Sequence, residues 1–167
     1  MLWLLRHFEA LEKPPAGGRD RDRRLSPKGL RRATRLGEAI AAGRVALTVP
    51  SVVLVSPAAR TQATATTTFE RLGASTRLIT DSRLYHATPD DVLEIVRELP
   101  DEEDAVGVVG HNPTMHCLSL DLVSELSLDG PHPALNSYPP GTLCVIELPV
   151  TSWSKASFAE GQLRLLL

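Results

Sequence analysis

Three short clusters in this chain carry the residue types that handle a phosphoryl group. Arg6-His7 closes the apolar run Leu2 to Leu5. Ser56-Pro57-Ala58-Ala59-Arg60-Thr61 follows a second apolar run, Ser51 to Val55, and Gly110-His111-Asn112 follows another, Ala105 to Val109. A guanidinium presents forked donors to phosphate oxygens, which neutralises the dianion and keeps the phosphorus electrophilic. A neutral imidazole beside such charge can attack phosphorus through one ring nitrogen while the other donates to a backbone carbonyl. On these grounds His7 is the candidate nucleophile, Arg6 and Arg60 the candidate oxyanion clamps, and His111 a donor to the transferred oxygens. The product of attack is a phosphohistidine that water then hydrolyses. Singly, each cluster reads as a solvated strand end; jointly, two Arg and two His at three strand ends imply an anion site.

Other phosphoryl chemistries fit poorly. Neither Cys117 nor Cys144 is followed six residues later by Arg, so a cysteine-phosphatase loop is missing. Asp20-x-Asp22 lies in a charged loop and not after a strand, and there is neither a Gly-rich Walker loop nor a Ser flanked by glycines. His116 stands five residues after His111, the wrong spacing for one helix face, and reads as structural or partly exposed. His86 and His132 sit in polar loop contexts and read as solvated. No metal site and no cofactor are expected.

The elements that must position these residues can be read from periodicity. Leu2 to Leu5, Ser51 to Val55 and Ala105 to Val109 are short apolar runs, as buried strands are. Thr76 to Ile79, Thr142 to Leu148 and Leu163 to Leu166 are further strands, the last at an edge. Ser26 then Pro27 is a helix start, with Leu30, Ala33, Leu36, Gly37 and Ile40 recurring to about Ala42 and Gly43 at the end. Ala58 to Leu72 is a second helix. Thr88-Pro89-Asp90-Asp91 starts a third, striped by Val92, Ile95, Val96 and Leu99 and stopped by Pro100. Pro113 to about Leu126 is a fourth. Glu12 to Arg24 and Asp129 to Pro140 are loops, and Thr151 to Gly161 follows no pattern. Strands alternating with helices predict an α/β three-layer sandwich, a mostly parallel sheet with helices on both faces. Ligands of such sheets bind at the carboxyl ends of the strands.

With 167 residues, 43% of them hydrophobic, the chain suits one globular domain over its whole length. A net charge of −2 gives no reason to expect nucleic acid or a membrane as partner. Arg19 to Arg24 and Arg31-Arg32 make the first third locally basic, which reads mostly as solvated surface, although a basic rim would suit an anionic substrate. Cys117 and Cys144 lie in apolar stretches and read as reduced core residues of a cytoplasmic protein. The first apolar run lacks a preceding basic region, so it is not expected to be a signal peptide, and no run approaches the roughly 18 apolar residues of a membrane span.

Leu5-Arg6-His7-Phe8-Glu9-Ala10 resembles the Arg-His-Gly signature of the histidine phosphatase superfamily, whose fold is phosphoglycerate mutase-like. Ser56-Pro57-x-x-Arg60-Thr61-x-x-Thr64 is similar to that family's second motif and Gly110-His111-Asn112 to its third. Asp20-x-x-Arg23-x-Leu25-Ser26-x-x-Gly29 and Pro140-Gly141-Thr142-Leu143 resemble the SixA-type phosphohistidine phosphatase branch. The resemblance implies His7 as nucleophile, Arg6, Arg60 and His111 as the phosphate pocket, and Arg23 as a weaker candidate at its rim. It also implies a phosphorylated protein bearing phosphohistidine as partner, or else a small phosphorylated metabolite. A non-catalytic phosphate-binding module is the alternative from another class. Two departures stand out. Phe8 replaces the signature's Gly, and its ring stands to crowd the pocket. No carboxylate is clearly the proton donor, with Glu9, Asp81, Asp90 and Asp91 as candidates by position.

Overall fold

The computed structural model describes residues 1–72, 76–123 and 136–167. Six strands form one sheet: β1 (Leu2–Arg6), β2 (Val52–Val55), β3 (Arg77–Thr80), β4 (Val106–Gly110), β5 (Leu143–Glu147) and β6 (Gln162–Leu166), in the order β3-β2-β4-β1-β5-β6. β1 pairs in parallel with β4, β4 with β2, and β2 with β3. β5 runs against both of its neighbours. The sheet is therefore parallel but for one strand, as the alternation of strands and helices predicts.

Four α-helices cover it: α1 (Pro27–Ala41), α2 (Ala59–Phe69), α3 (Pro89–Arg97) and α4 (Thr114–Leu122). Alternation along β1 sorts them into two layers. Leu2 and Leu4 pack with Val92, Ile95 and Val96 of α3 and with Met115, Leu118 and Leu122 of α4. Trp3 and Leu5 face the other way, into Ala33 and Ile40 of α1 and Ala65 and Phe69 of α2. Each large aliphatic side chain so buried contributes roughly 1.5–3 kcal/mol. The central strands are apolar on both sides because both faces are covered.

Local signals set the helix starts. Ser26 Oγ accepts from the Gly29 amide at 3.1 Å with Pro27 at the first helical position, a cap that contributes about 1 kcal/mol. Thr88 and Asp91 cap α3 reciprocally, the Thr88 amide donating to Asp91 Oδ2 at 2.8 Å and the Asp91 amide to Thr88 Oγ1 at 3.2 Å. The α2 region ends as an α-helix at Phe69 and continues to Leu72 as a 3-10 turn.

Several expectations are corrected by packing. Leu30 does not join the buried stripe of α1 but stands 43% exposed. The buried positions there are Gly29, Ala33, Gly37 and Ile40, one residue off Leu30's side of the helix. Cys117 is exposed, because α4 buries Met115, Leu118, Ser119 and Leu122 and presents position 117 outward. Only Cys144 is the core thiol expected, and burial pushes its pKa up to about 12. The patternless stretch after β5 holds a 3-10 turn, Trp153–Lys155, whose Trp153 ring caps the α3–α4 side of the core. The end of the predicted fourth helix beyond Val123, most of the Asp129 to Pro140 loop, and His132 lie outside the described residues.

Candidate active site

Because β1, β2 and β4 are parallel neighbours, the residues that follow them meet at one edge of the sheet. Arg6, His7, Arg23, Arg60 and His111 line a single cavity of about 300 Å³ there, together with Glu9 and Asn112. Its charged groups are oriented by backbone as much as by side chains. The His7 amide donates to the Gly110 carbonyl at 3.1 Å, tying the ends of β1 and β4 together. Gly141, at φ +83, turns the chain so that its amide reaches the Arg6 and His7 carbonyls at 3.2 and 3.1 Å. A side chain at 141 would strike the Phe8 ring, so only glycine serves both needs.

His7 Nδ1 lies 2.7 Å from the Phe8 carbonyl oxygen. A carbonyl can only accept, so Nδ1 carries the hydrogen and Nε2 keeps its lone pair. Burial, reinforced by the charges of Arg60, Arg6 and Arg23, pushes the His7 pKa down to about 4 against the pull of that carbonyl. His7 is thus a neutral, singly oriented imidazole at physiological pH. His111 sits with its ring centre 5.4 Å from that of His7, and its Nε2 is 2.8 Å from Ser56 Oγ. Burial and then the Arg60 charge push it down to about 3.

The arginines are held rigidly. Arg60 is buried at 8% exposure and donates to the Asp20 carbonyl at 3.0 Å and to Asp20 Oδ2 at 3.1 Å. Arg23 donates through Nε to the Leu11 carbonyl at 2.7 Å and through Nη1 to Asp20 Oδ1 at 3.1 Å. Tyr85 closes the set, its hydroxyl donating to Asp20 Oδ2 at 2.9 Å. Arg23, Tyr85 and Arg60 together hold the Asp20 carboxyl down to about 2. Arg6 donates to the Tyr138 carbonyl, which also accepts from the Asn112 amide group at 2.9 Å.

Phe8 does not crowd this cavity. Its ring is 2% exposed and turned into the core with Trp3, Leu5 and Leu25, under the Arg32 guanidinium at 5.4 Å. Among the described residues the one non-glycine with positive φ is Ala159, so Phe8 takes an ordinary backbone conformation and offers its carbonyl to His7. Two proton-donor candidates have structural partners: Asp81 pairs with Arg83 at 2.7 Å, and Asp91 caps α3. Glu9 does line the cavity, where burial raises its pKa but Lys28 and Arg32 lower it further, leaving it ionised. The Asp20-x-x-Arg23 spacing resembles the SixA-type pattern, yet nothing in the sequence says that Asp20 braces Arg60, and Tyr85 belongs to no motif. Among the described residues no group of three or more His, Cys, Asp or Glu side chains is gathered to hold a metal, and no helix is long and apolar enough to cross a membrane.

Residues 2–88 match the model of the histidine phosphatase superfamily, branch 1. The chain belongs to that superfamily. A protein assigned as phosphohistidine phosphatase SixA, from Nakamurella multipartitia, is 31% identical, with a TM-score of 0.80 over 99% of this chain and 94% of its own. This places the chain beside the SixA-type branch, and it is an enzyme of the phosphatase class. A phosphoglycerate mutase from Plasmodium falciparum, 20% identical with a TM-score of 0.58 over 98% and 87% of the two chains, is alike in fold alone. An uncharacterized protein of Mycobacterium leprae (strain TN) is 32% identical over 64% of this chain, and the match spans 62% of that relative's length.

Proposed function

We propose that this phosphatase works through a phosphohistidine formed on His7, without a metal ion, and that its substrate is phosphohistidine on another protein. The observation that carries the reading is the His7 imidazole itself. With Nδ1–H committed to the Phe8 carbonyl and a pKa of about 4, Nε2 is an unprotonated nucleophile next to Arg6 and Arg60. As Nε2 bonds to phosphorus, the phosphorus–nitrogen bond of the substrate breaks and its electron pair returns to the leaving imidazole, which takes a proton from water. Arg6 and Arg60 neutralise the charge on the transferred oxygens, the uncharged His111 donates a hydrogen bond to them, and Arg23 sits at the rim. Water then attacks phosphorus, releasing inorganic phosphate and restoring His7.

A leaving imidazole can be protonated before it departs, so this substrate class asks little of a protein acid. Glu9 is ionised and salt-bridged, consistent with a reaction that lacks a strong proton donor. The SixA assignment of the Nakamurella relative points the same way. Free thiols at Cys117 and Cys144 suit the reducing cytoplasm.

The test is turnover of a phosphohistidine protein and of para-nitrophenyl phosphate, without added metal, by the wild type and by His7→Ala. Loss of a nucleophile should lower turnover by more than about a thousandfold. Unchanged turnover in His7→Ala would refute the nucleophile. Faster hydrolysis of the phenyl ester than of phosphohistidine would favour a small phosphorylated metabolite as substrate. Vanadate binding with no turnover in either protein would mark a phosphate-binding module.

A further inference from the structure

A second groove, of about 390 Å³, adjoins the phosphoryl cavity and shares His111 and Asn112 with it. We propose that this groove is the seat of the leaving group, taking the imidazole of a phosphohistidine and the residues that flank it in the partner protein; the proposal rests on the phosphatase reading above. Its volume lies within the roughly 300–1,000 Å³ of ligand clefts. His7 lines the cavity and not the groove, while His111 and Asn112 line both, so a leaving group seated in the groove is next to the phosphoryl cavity without competing with the nucleophile for space.

The walls have the chemistry for a flat, half-polar ring. Tyr85 stands edge-to-face with His111, ring centres 5.6 Å apart, and with His86, 4.4 Å apart. Such rings offer an incoming imidazole the perpendicular or offset contacts that aromatic pairs favour. Leu84 and Pro113 add apolar surface, and Tyr85 is already fixed through its hydroxyl to Asp20. A wall that is ordered beforehand loses little freedom on binding. Cys117, exposed on α4, lines the groove and leaves room for chain beyond the ring.

The experiment compares two substrates that share the phosphorus–nitrogen bond. Phosphoramidate releases only ammonia and has nothing to put in the groove, whereas a phosphohistidine peptide fills it. Cys117→Phe, which narrows the groove from its exposed wall, should lower kcat/KM for the peptide at least about tenfold more than for phosphoramidate. His86→Ala, which removes an exposed ring, should cost the peptide up to about tenfold, again selectively. Equal losses on both substrates in both variants, or none on either, would overturn the assignment. A wild type that hydrolyses neither substrate would instead overturn the phosphatase reading, and the groove's role with it.

Discussion

The two ends of the parallel sheet carry cavities of similar size and opposite character. At the carboxyl ends of β1, β2 and β4, about 300 Å³ is lined by Arg6, Arg23, Arg60, His7 and His111. At the amino ends, about 360 Å³ is lined by Asp101, Glu103, Asp104 and the terminal Met1. The acidic groups are occupied by the fold. Glu103 accepts from Ser51 and Arg77, Asp101 Oδ1 accepts from the Trp153 amide at 2.8 Å, and the Met1 ammonium, donating to the Asp104 backbone carbonyl at 2.8 Å, brings its positive charge near the Asp104 carboxylate. At the basic end, Arg6 donates to a backbone carbonyl while Arg60 and Arg23 share the one carboxylate of Asp20, so the cavity keeps an excess of positive charge. Volume does not distinguish the two ends; what distinguishes them is whether the charges already have their counterparts.

Predictions that test this contrast fall in a clear order. Arg6→Ala should be the most damaging at the basic end, lowering kcat/KM for any phosphorylated substrate by about a hundred- to a thousandfold, as loss of one oxyanion donor does. A steady-state comparison with wild type checks it, and a loss under threefold would remove Arg6 from the phosphate pocket. The acid limb of kcat/KM should come next. His7 must be unprotonated to attack, so activity should fall as pH drops through about 4 and not through the usual imidazole range near 6.5. A limb at 6–7 in the pH profile would mean that His7 is not desolvated as described.

Asp20→Asn should act in the opposite direction and more gently. Removing the carboxylate that Arg60 and Arg23 now hold takes a negative charge from beside the incoming dianion. Inorganic phosphate should then bind several-fold more tightly, about 1 kcal/mol for one charge near the protein surface. Calorimetric titration would read it, and weaker binding would mean that Asp20 matters more for placing Arg60 than for repelling the ligand. Glu103→Gln, at the acidic end, should leave kcat/KM unchanged while costing about 1–2 kcal/mol of stability from its half-satisfied hydrogen bonds. A thermal melt beside an activity assay separates the two effects. A fall in activity without a fall in Tm would give the acidic cavity a function this contrast denies it.

Much of the architecture is legible in the chain because local signals and packing agree. Ser26-Pro27 and Thr88-Pro89 start α1 and α3 where their caps predict, and β1, β2 and β4 follow their apolar runs to within a residue. Legibility fails where one residue's neighbours come from remote segments. Leu30 looks like stripe and is exposed, since the close approach of Glu9 to Gly29 sets the rotation of α1. Cys117 looks like core and faces the groove instead.

By itself the sequence determined the reactive groups and their order along strands: an imidazole and a guanidinium after β1, a guanidinium after β2, an imidazole after β4. These are local, because a strand end places whatever follows it. Only the tertiary structure decided what surrounds them. It turned the Phe8 ring into the core against Gly141, bound Asp20 to Arg60 from a loop 40 residues earlier, and set Tyr85 against Asp20 in the wall of the groove. Those contacts join segments far apart in the chain, and no periodicity within a segment encodes the partner that packing brings to it.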